Sequence, residues 1–261
     1  MDNAESEQFK NWFFEYTNRY LIADPINREA YELKIAHSFR VRDNCSAIGT
    51  SLNLNEEETA IAEAIGLLHD IGRFEQFHRY HTFLDGKSEN HAQLGATVLR
   101  DANVLSRLEK DVQELILKAV SYHNRLKLPE GESRRVSFFC KLIRDADKID
   151  VLGIVSDYYE SNKKSDFIEL NLSDAPVYSE EILDDLFKDG LVDMNKMKTL
   201  NDFKLLQLGW VYDLNFSLAA KIIKEKHYLE KIRMTLPESD QIDELLSRLN
   251  AHLDGLSKKC F

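Results

Sequence analysis

Apolar residues recur at three- and four-residue spacing along most of the chain, and this periodicity is the strongest constraint on its fold. Only 10 Gly and 4 Pro occur among 261 residues, so few positions would interrupt a helix. The clearest stretch is 240–256, where the apolar positions are Ile242, Leu245, Leu246, Leu249, Leu253 and Leu256. No internal repeat or low-complexity tract accompanies this pattern. The sequence therefore predicts an all-α protein.

Composition and charge narrow the classes of function. No apolar run approaches the roughly 20 residues that a membrane helix requires, and residues 1–8 are acidic and polar, unlike a signal segment. We therefore expect a cytoplasmic protein that does not bind membranes. With 34 Lys and Arg against 45 Asp and Glu, the net charge of −11 disfavours long nucleic acids as partners. A small phosphorylated ligand, held by local positive charge, is compatible with it.

The adjacent residues His69 and Asp70 lie where a predicted helix ends. The apolar-rich segment 59–68 precedes them, and Gly72 follows. A single pair of this kind is typical of an ordinary solvated helix end. Other histidines and aspartates occupy similar places in the sequence, however, and they make the pair a candidate metal site.

His37 and Asp147 are each predicted on the apolar face of a helix. His37 faces inward in the helix predicted over 27–52, where a histidine binds either a backbone carbonyl or a ligand. Asp147 lies on the apolar stripe of the helix predicted over 136–160. A charge there is costly unless a metal or Arg144 neutralises it.

Two more histidines lie at predicted helix ends. His91 lies in the first turn of a helix that Ser88 or Asn90 can cap, and His123 ends the helix predicted over 111–123. Four imidazoles and two carboxylates suit a pair of borderline or hard divalent ions, with one carboxylate bridging them. The candidate ligands occur in the order His37, His69, Asp70, His91, His123 and Asp147.

Three short segments carry a family resemblance: Ala-His-Ser-Phe-Arg-Val at His37, Leu-Leu-His-Asp-Ile-Gly at His69 and Asp70, and Arg-Asp-Ala-Asp-Lys-Ile-Asp at Asp147. With them, residues 30–155 resemble the HD-domain superfamily of metal-dependent phosphohydrolases. His91 and His123 match the additional histidines of its two-metal members. The resemblance implies an HD-domain helical bundle with additional C-terminal helices. We expect a metal-binding helical domain over 1–160 and a helical extension over 161–261 that caps it or forms a homodimer.

The resemblance also implies how the ligands divide. One ion would be held by His37, His69, Asp70 and Asp147, and a second by His91, His123 and the bridging Asp70. Asp147 is preferred to Asp145 because the family's aspartate precedes a basic residue, and because Asp147 lies on the apolar stripe. Two divalent transition-metal ions per chain are expected, iron or manganese first, with nickel, cobalt, zinc and magnesium as alternatives.

The activity implied by the resemblance is hydrolysis of a phosphoester or phosphoanhydride bond in a nucleotide-like small molecule through a metal-bound hydroxide. Asp70 would be central to catalysis, while Arg73 and Lys148 would neutralise substrate oxygens, with Arg79 as a weaker candidate. Tyr122 precedes His123, so the His-His pair of the family's cyclic di-GMP-cleaving branch is missing, as is its Gly-Tyr-Pro motif. This departure argues against that substrate and against a third metal.

Two other functions remain open from the sequence. An HD-fold di-iron oxygenase would use the same ligand types, and a non-catalytic nucleotide-binding regulatory module could retain the metal site for stability. Residues 71–89 are predicted to be an irregular, cation-rich loop over a phosphate site. Residues 162–199 are predicted to be a lid or connector, followed by one long helix from Thr199 or Asn201 through Ala219.

Overall fold

The computed structural model describes residues 3–161, 164–188, 190, 192 and 194–259. Within these ranges the chain is helical and contains no strand beyond a single bridge between Ser173 and Thr199. The predicted all-α fold is confirmed. Throughout the described ranges, no helix is both long enough and apolar enough to cross a bilayer. The chain divides into two compact units, Met1–Asp147 and Lys148–Phe261.

Among its described residues, the first unit contains six complete α-helices and the start of a seventh. They are α1 (Asn3–Ala23), α2 (Arg28–Ser51), α3 (Glu56–Leu68), α4 (Gly72–Tyr80), α5 (His91–Asp101), α6 (Lys110–Tyr122) and α7 (Arg134–Glu160). Local sequence explains two of the helix starts. The Asn55 side chain accepts a hydrogen bond from the backbone N–H of Glu58, and Asn90 does the same for Gln93, so both are N-caps.

The prediction of an irregular segment over 71–89 is wrong for its first half, which forms α4. Phe74 and Phe77 are buried and one turn apart, and Gln76 between them is buried as well. Phe74 packs edge-on against Phe13 of α1, with ring centroids 6.0 Å apart. The helical spacing of these apolar side chains stabilises a helix in a segment that is otherwise rich in charge. His81 ends α4 in the left-handed conformation, with φ of 51°.

Two glycines allow the helices around the His-Asp pair to approach closely. A Cβ on Gly66 would lie 2.8 Å from Cα of Arg42, so α3 passes directly over the backbone of α2. A Cβ on Gly72 would lie 2.2 Å from the carbonyl oxygen of His91, so the start of α4 abuts the start of α5. These approaches bring His37 and His91 near the turn that carries His69 and Asp70.

The second unit follows the boundary within α7. Its remaining helices are α8 (Asp166–Glu169), α9 (Glu180–Lys188), α10 (Leu200–Gly209), α11 (Ser217–Glu225), α12 (Tyr228–Arg233) and α13 (Asp240–Ser257). Thr199 is the N-cap of α10, within a capping box completed by Asp202. The role of this unit as a cap or dimerisation element stays a prediction.

The single long helix predicted from Thr199 to Ala219 is wrong, because α10 ends at Gly209. A short 3-10 helix, Trp210–Asp213, follows it, and Phe216 is extended before α11 begins. Val211, Leu214 and Phe216 are all buried. Their spacing of three and then two residues cannot face one side of an α-helix, so burying all three requires a break.

Candidate metal centre

The six candidate ligands come from five separate parts of the first unit. His37 lies in α2, the pair His69 and Asp70 follows α3, His91 begins α5, His123 follows α6, and Asp147 lies in α7. All are buried except Asp147, whose side chain is 26% exposed. Because each ligand lies on or directly beside a helix, the packing of the bundle determines their relative positions.

We call the first group the first subsite: His37, His69, Asp147 and Oδ2 of Asp70. The Nε2 atoms of His37 and His69 are 3.2 Å apart. Oδ1 of Asp147 lies 3.3 Å from Nε2 of His37 and 3.8 Å from Nε2 of His69. Oδ2 of Asp70 lies 3.5 Å and 3.8 Å from the same two nitrogens.

The second subsite comprises His91, His123 and Oδ1 of Asp70. The Nε2 atoms of the two histidines are 3.0 Å apart. Oδ1 of Asp70 lies 3.3 Å from Nε2 of His91 and 3.6 Å from Nε2 of His123. Asp70 therefore faces the first subsite with one carboxylate oxygen and the second subsite with the other.

Hydrogen bonds at Nδ1 orient three of the imidazoles. His69 donates to the carbonyl oxygen of Gly66 at 2.8 Å, and His123 donates to that of Val120 at 2.7 Å. His91 donates instead to the carboxylate of Asp85 at 2.8 Å. In their neutral forms these three rings carry the proton on Nδ1, so each presents an Nε2 lone pair to the cluster.

Burial and charge determine the protonation of the cluster. Burial lowers the pKa of His69, while burial and the charge of Arg73 lower that of His91 to about 3. Burial opposes ionisation of Asp70, but Lys34, His69 and Arg73 outweigh it and hold its pKa well below the usual range. At neutral pH these imidazoles are neutral and Asp70 is ionised, which are the states that bind metal.

The chemistry of this donor set fits a divalent metal. When the rings of His91 and His123 each carry a proton only on Nδ1, two Nε2 lone pairs face each other 3.0 Å apart and no hydrogen bond can form between them. A cation that accepts both lone pairs resolves this contact. Three sets of donor atoms lie within 4.8 Å of one another: His37, His69 and Asp70; His69, His123 and Asp147; Asp70, His91 and His123. Imidazole and carboxylate donors together suit first-row divalent ions.

Two residues of the centre were not identified from the sequence. The ammonium of Lys34 lies 2.7 Å from Oδ2 of Asp70, and the carboxylate of Asp85 binds His91. Lys34 lies one turn before His37 in α2, and Asp85 lies six residues before His91. Helical spacing from His37 could have drawn attention to Lys34. The sequence holds no comparable signal for Asp85, because a loop brings it to His91.

The predicted substrate-binding cations have partners within the protein. Arg73 donates through one terminal nitrogen to Gln76 at 2.9 Å, to Asp85 at 3.2 Å and to the carbonyl oxygen of Phe83. Its buried Nε has no hydrogen-bond partner among the described residues and lies 3.5 Å from Oδ1 of Asp70. Lys148 donates to Asp213 at 2.6 Å.

Arg79, the weaker candidate, is half-exposed. It pairs with Glu75 at 2.6 Å and with Glu89 at 3.1 Å. Its guanidinium therefore stabilises the outer surface of α4, and a role in substrate binding stays a prediction.

Comparison with known proteins agrees with this geometry. The family model of the HD domain matches residues 35–152, a range that includes all six candidate ligands. Searches of curated proteins and of solved structures return no match. The helical fold, the order of the histidines and aspartates and the family match lead to one conclusion: residues 35–152 of the chain form an HD domain with a clustered set of histidine and aspartate ligands.

Proposed function

We propose that this protein is a two-metal phosphohydrolase that cleaves a phosphoester or phosphoanhydride bond of a small nucleotide-like molecule. The observation that carries the proposal is the placement of Asp70, whose two oxygens face different pairs of histidines. A carboxylate in this position can bridge two ions. The first ion would be held by His37, His69, Asp70 and Asp147, and the second by His91, His123 and Asp70.

A bound pair of divalent ions supplies Lewis acidity and lowers the pKa of water, which permits hydrolysis near neutral pH. The protein's contribution is to hold the ligands in position before substrate arrives. The carbonyl groups of Gly66 and Val120 orient His69 and His123, and Asp85 orients His91. Because these acceptors hold the rings in place, little reorganisation is required when metal and substrate bind.

Arg73 and Lys148 are proposed to neutralise the oxygens of the substrate. The Nε of Arg73, which forms no hydrogen bond within the described part of the chain, lies 3.5 Å from Oδ1 of Asp70, and a guanidinium can bind a phosphoryl group through two nitrogens. Lys148 directly follows Asp147 but is paired with Asp213, so it must exchange partners to bind substrate. The net charge of −11 favours a small substrate over a nucleic acid polymer.

The test combines elemental analysis with hydrolysis of bis(p-nitrophenyl) phosphate and a panel of nucleotides. Wild-type protein, purified without chelator, is compared with Asp70→Ala and with Asp101→Ala, an exposed aspartate that ends α5. We expect about two ions per chain and hydrolysis in the wild type and in Asp101→Ala. Asp70→Ala should lose both, because it removes the ligand shared by the two subsites.

Other results would contradict specific parts of the proposal. One ion per chain would remove His91 and His123 from the ligand set. Two ions with consumption of O2 and no phosphate release would favour the di-iron oxygenase. Two ions with neither activity would favour the regulatory module.

A further inference from the structure

We propose that Asp85 is a positioning residue that assembles the second subsite and thereby determines the affinity of the second metal ion. This inference rests on the proposed two-metal function, because it assigns separate affinities to the two subsites. It adds a residue outside the six candidate ligands. Asp85 acts through His91, whose imidazole it binds directly.

The contact between Asp85 and His91 is bidentate. Both carboxylate oxygens of Asp85 lie 2.8 Å from Nδ1 of His91. The hydrogen bonds hold the ring so that its Nε2 points toward His123 and Oδ1 of Asp70. A carboxylate acceptor also makes the imidazole a stronger donor to metal than a carbonyl acceptor would.

Asp85 is itself held by three further donors. Asn124, the neighbour of His123, donates to Oδ2 at 3.0 Å. Gln76 donates to Oδ1 at 2.8 Å and Arg73 donates to it at 3.2 Å, both from α4. Asp85 therefore links α4, the first residue of α5 and the segment that follows α6. This placement fixes His91 relative to Asn124, which directly follows His123, the other histidine of the second subsite.

The segment that carries Asp85 is anchored independently. The amide of Gln76, a fully buried residue, also donates to Oγ of Ser88 at 2.9 Å and to the carbonyl oxygen of Glu89 at 2.9 Å. These bonds hold the chain between Asp85 and His91 against α4. A variant that changes only the charge of Asp85 would therefore leave the segment attached.

The two subsites differ in how they depend on this segment. His69 in the first subsite is oriented by the backbone carbonyl of Gly66, which no side-chain substitution removes. His91 is oriented by a side chain. Replacing Asp85 should therefore weaken the binding of the second ion and leave the binding of the first ion nearly unchanged. Loss of an outer partner of a ligating histidine typically reduces metal affinity about 10–100-fold.

Asp85→Asn is the appropriate variant because it keeps the shape and removes the charge. The carboxylate of Asp85 accepts hydrogen bonds from Arg73, Gln76, His91 and Asn124. An asparagine amide would replace one accepting oxygen with an N–H group, which cannot accept these bonds. The matched control is Asp101→Asn, which changes an exposed aspartate outside the cluster. His91→Ala and His37→Ala serve as references that identify the second and first subsites.

The experiment is a Co²⁺ titration of chelator-treated protein, followed by visible absorption and elemental analysis. We expect two ions in the wild type and in Asp101→Asn. In Asp85→Asn the first ion should bind within about twofold of wild type with an unchanged absorption spectrum. The second ion, the one abolished by His91→Ala, should bind about 10–100-fold more weakly. Retention of the first ion also shows that the variant is folded.

Three results would overturn the inference: binding of the second ion to Asp85→Asn as tightly as to wild type, equal weakening of the binding of both ions, or a variant that is unfolded by circular dichroism. Hydrolysis assays on the same samples separate this inference from the proposed function. A selective loss of the second ion in a protein that hydrolyses no phosphate compound would leave the role of Asp85 intact and overturn the reaction. If Asp85→Asn bound both ions with wild-type affinity and remained active, the role of Asp85 would be overturned and the proposed reaction would stand.

Discussion

The ammonium of Lys34 lies 2.7 Å from Oδ2 of Asp70, the oxygen that faces the first subsite. The Lys34 side chain is 15% exposed and its ammonium also lies 5.3 Å from the centre of the Phe83 ring. The carboxylate that two metal ions would share thus already has a cation partner in the protein. Lys34 and a metal in the first subsite would compete for the same oxygen.

Lys34→Met should therefore have opposite effects on stability and metal affinity. It keeps the aliphatic stem but leaves the buried Asp70 carboxylate without its ammonium, which typically costs about 3–5 kcal/mol. The metal-free variant should melt at a lower temperature, while Mn²⁺ should bind the first subsite more tightly. Melting curves with chelator and Mn²⁺ titrations measure the two effects. Lys141→Met, on the exposed side of α7, is the control. Weaker Mn²⁺ binding by Lys34→Met would show that Lys34 supports the site instead of competing for it.

Removing the metal should lower the stability of the wild-type protein. An ion that binds only the folded state contributes about 4 kcal/mol when its free concentration is about 1,000 times its dissociation constant. We expect EDTA to lower the melting temperature of the wild type and Mn²⁺ to restore it. Asp70→Ala should show neither response. An equal response in both proteins would locate the stabilising ion outside the two subsites.

Arg73→Lys should impair catalysis without removing metal. A lysine keeps the charge but loses the planar donor group that binds a phosphoryl group through two nitrogens. Losing one preorganised donor typically lowers turnover about 10²–10³-fold. Steady-state kinetics with elemental analysis measure the effect, and Arg79→Lys on the outer surface of α4 is the control. Loss of an ion in Arg73→Lys would make Arg73 a support of the metal site.

Gly72→Ala should destabilise the first unit. The added Cβ would meet the carbonyl oxygen of His91 at 2.2 Å and the backbone N of Gly95 at 2.5 Å, and neither backbone atom can rotate away. Overpacking typically costs about 1–3 kcal/mol, and we expect a value at or above the top of that range. Urea unfolding measures it. Gly255→Ala, within α13, should instead be stabilising by about 0.5–1 kcal/mol, because its added Cβ would meet no other described part of the chain within 4 Å beyond its own helix backbone.

Glu75 should make part of the stability depend on pH. Burial opposes its ionisation, but hydrogen bonds from Tyr20, at 2.5 Å, and from Arg79 outweigh burial and lower the pKa of Glu75 below its usual 4.5. A lowered folded-state pKa stabilises the protein above pH 4.5, and this contribution is lost as the pH falls through the folded value. The difference in free energy of unfolding between wild type and Glu75→Gln should therefore be largest near neutral pH.

Urea unfolding of both proteins at pH 7 and near pH 4, in the presence of chelator, measures this difference. Glu32→Gln, which removes an exposed partner of Arg28, controls for loss of a surface ion pair. A difference between wild type and Glu75→Gln that stays constant with pH would contradict the prediction.

The helical class could be predicted from the sequence, and two N-caps could be narrowed to Ser88 or Asn90 and to Thr199 or Asn201, because apolar periodicity and capping act between residues a few positions apart. The structure selects Asn90 and Thr199. The sequence alone could not distinguish helix α4 from an irregular loop. Its charged residues obscure a helical face that becomes evident only when Phe74 packs against Phe13 of α1.

For the metal centre, the sequence by itself determined the candidate ligands and their order, because His37, His69, Asp70, His91, His123 and Asp147 occur at recognisable places in helices. Only the tertiary structure decided that the two oxygens of Asp70 face different histidines, and that Lys34 and Asp85 contact the cluster. The physical reason is that these contacts depend on how close the helices approach, as at Gly66 and Gly72. No local sequence pattern encodes those distances.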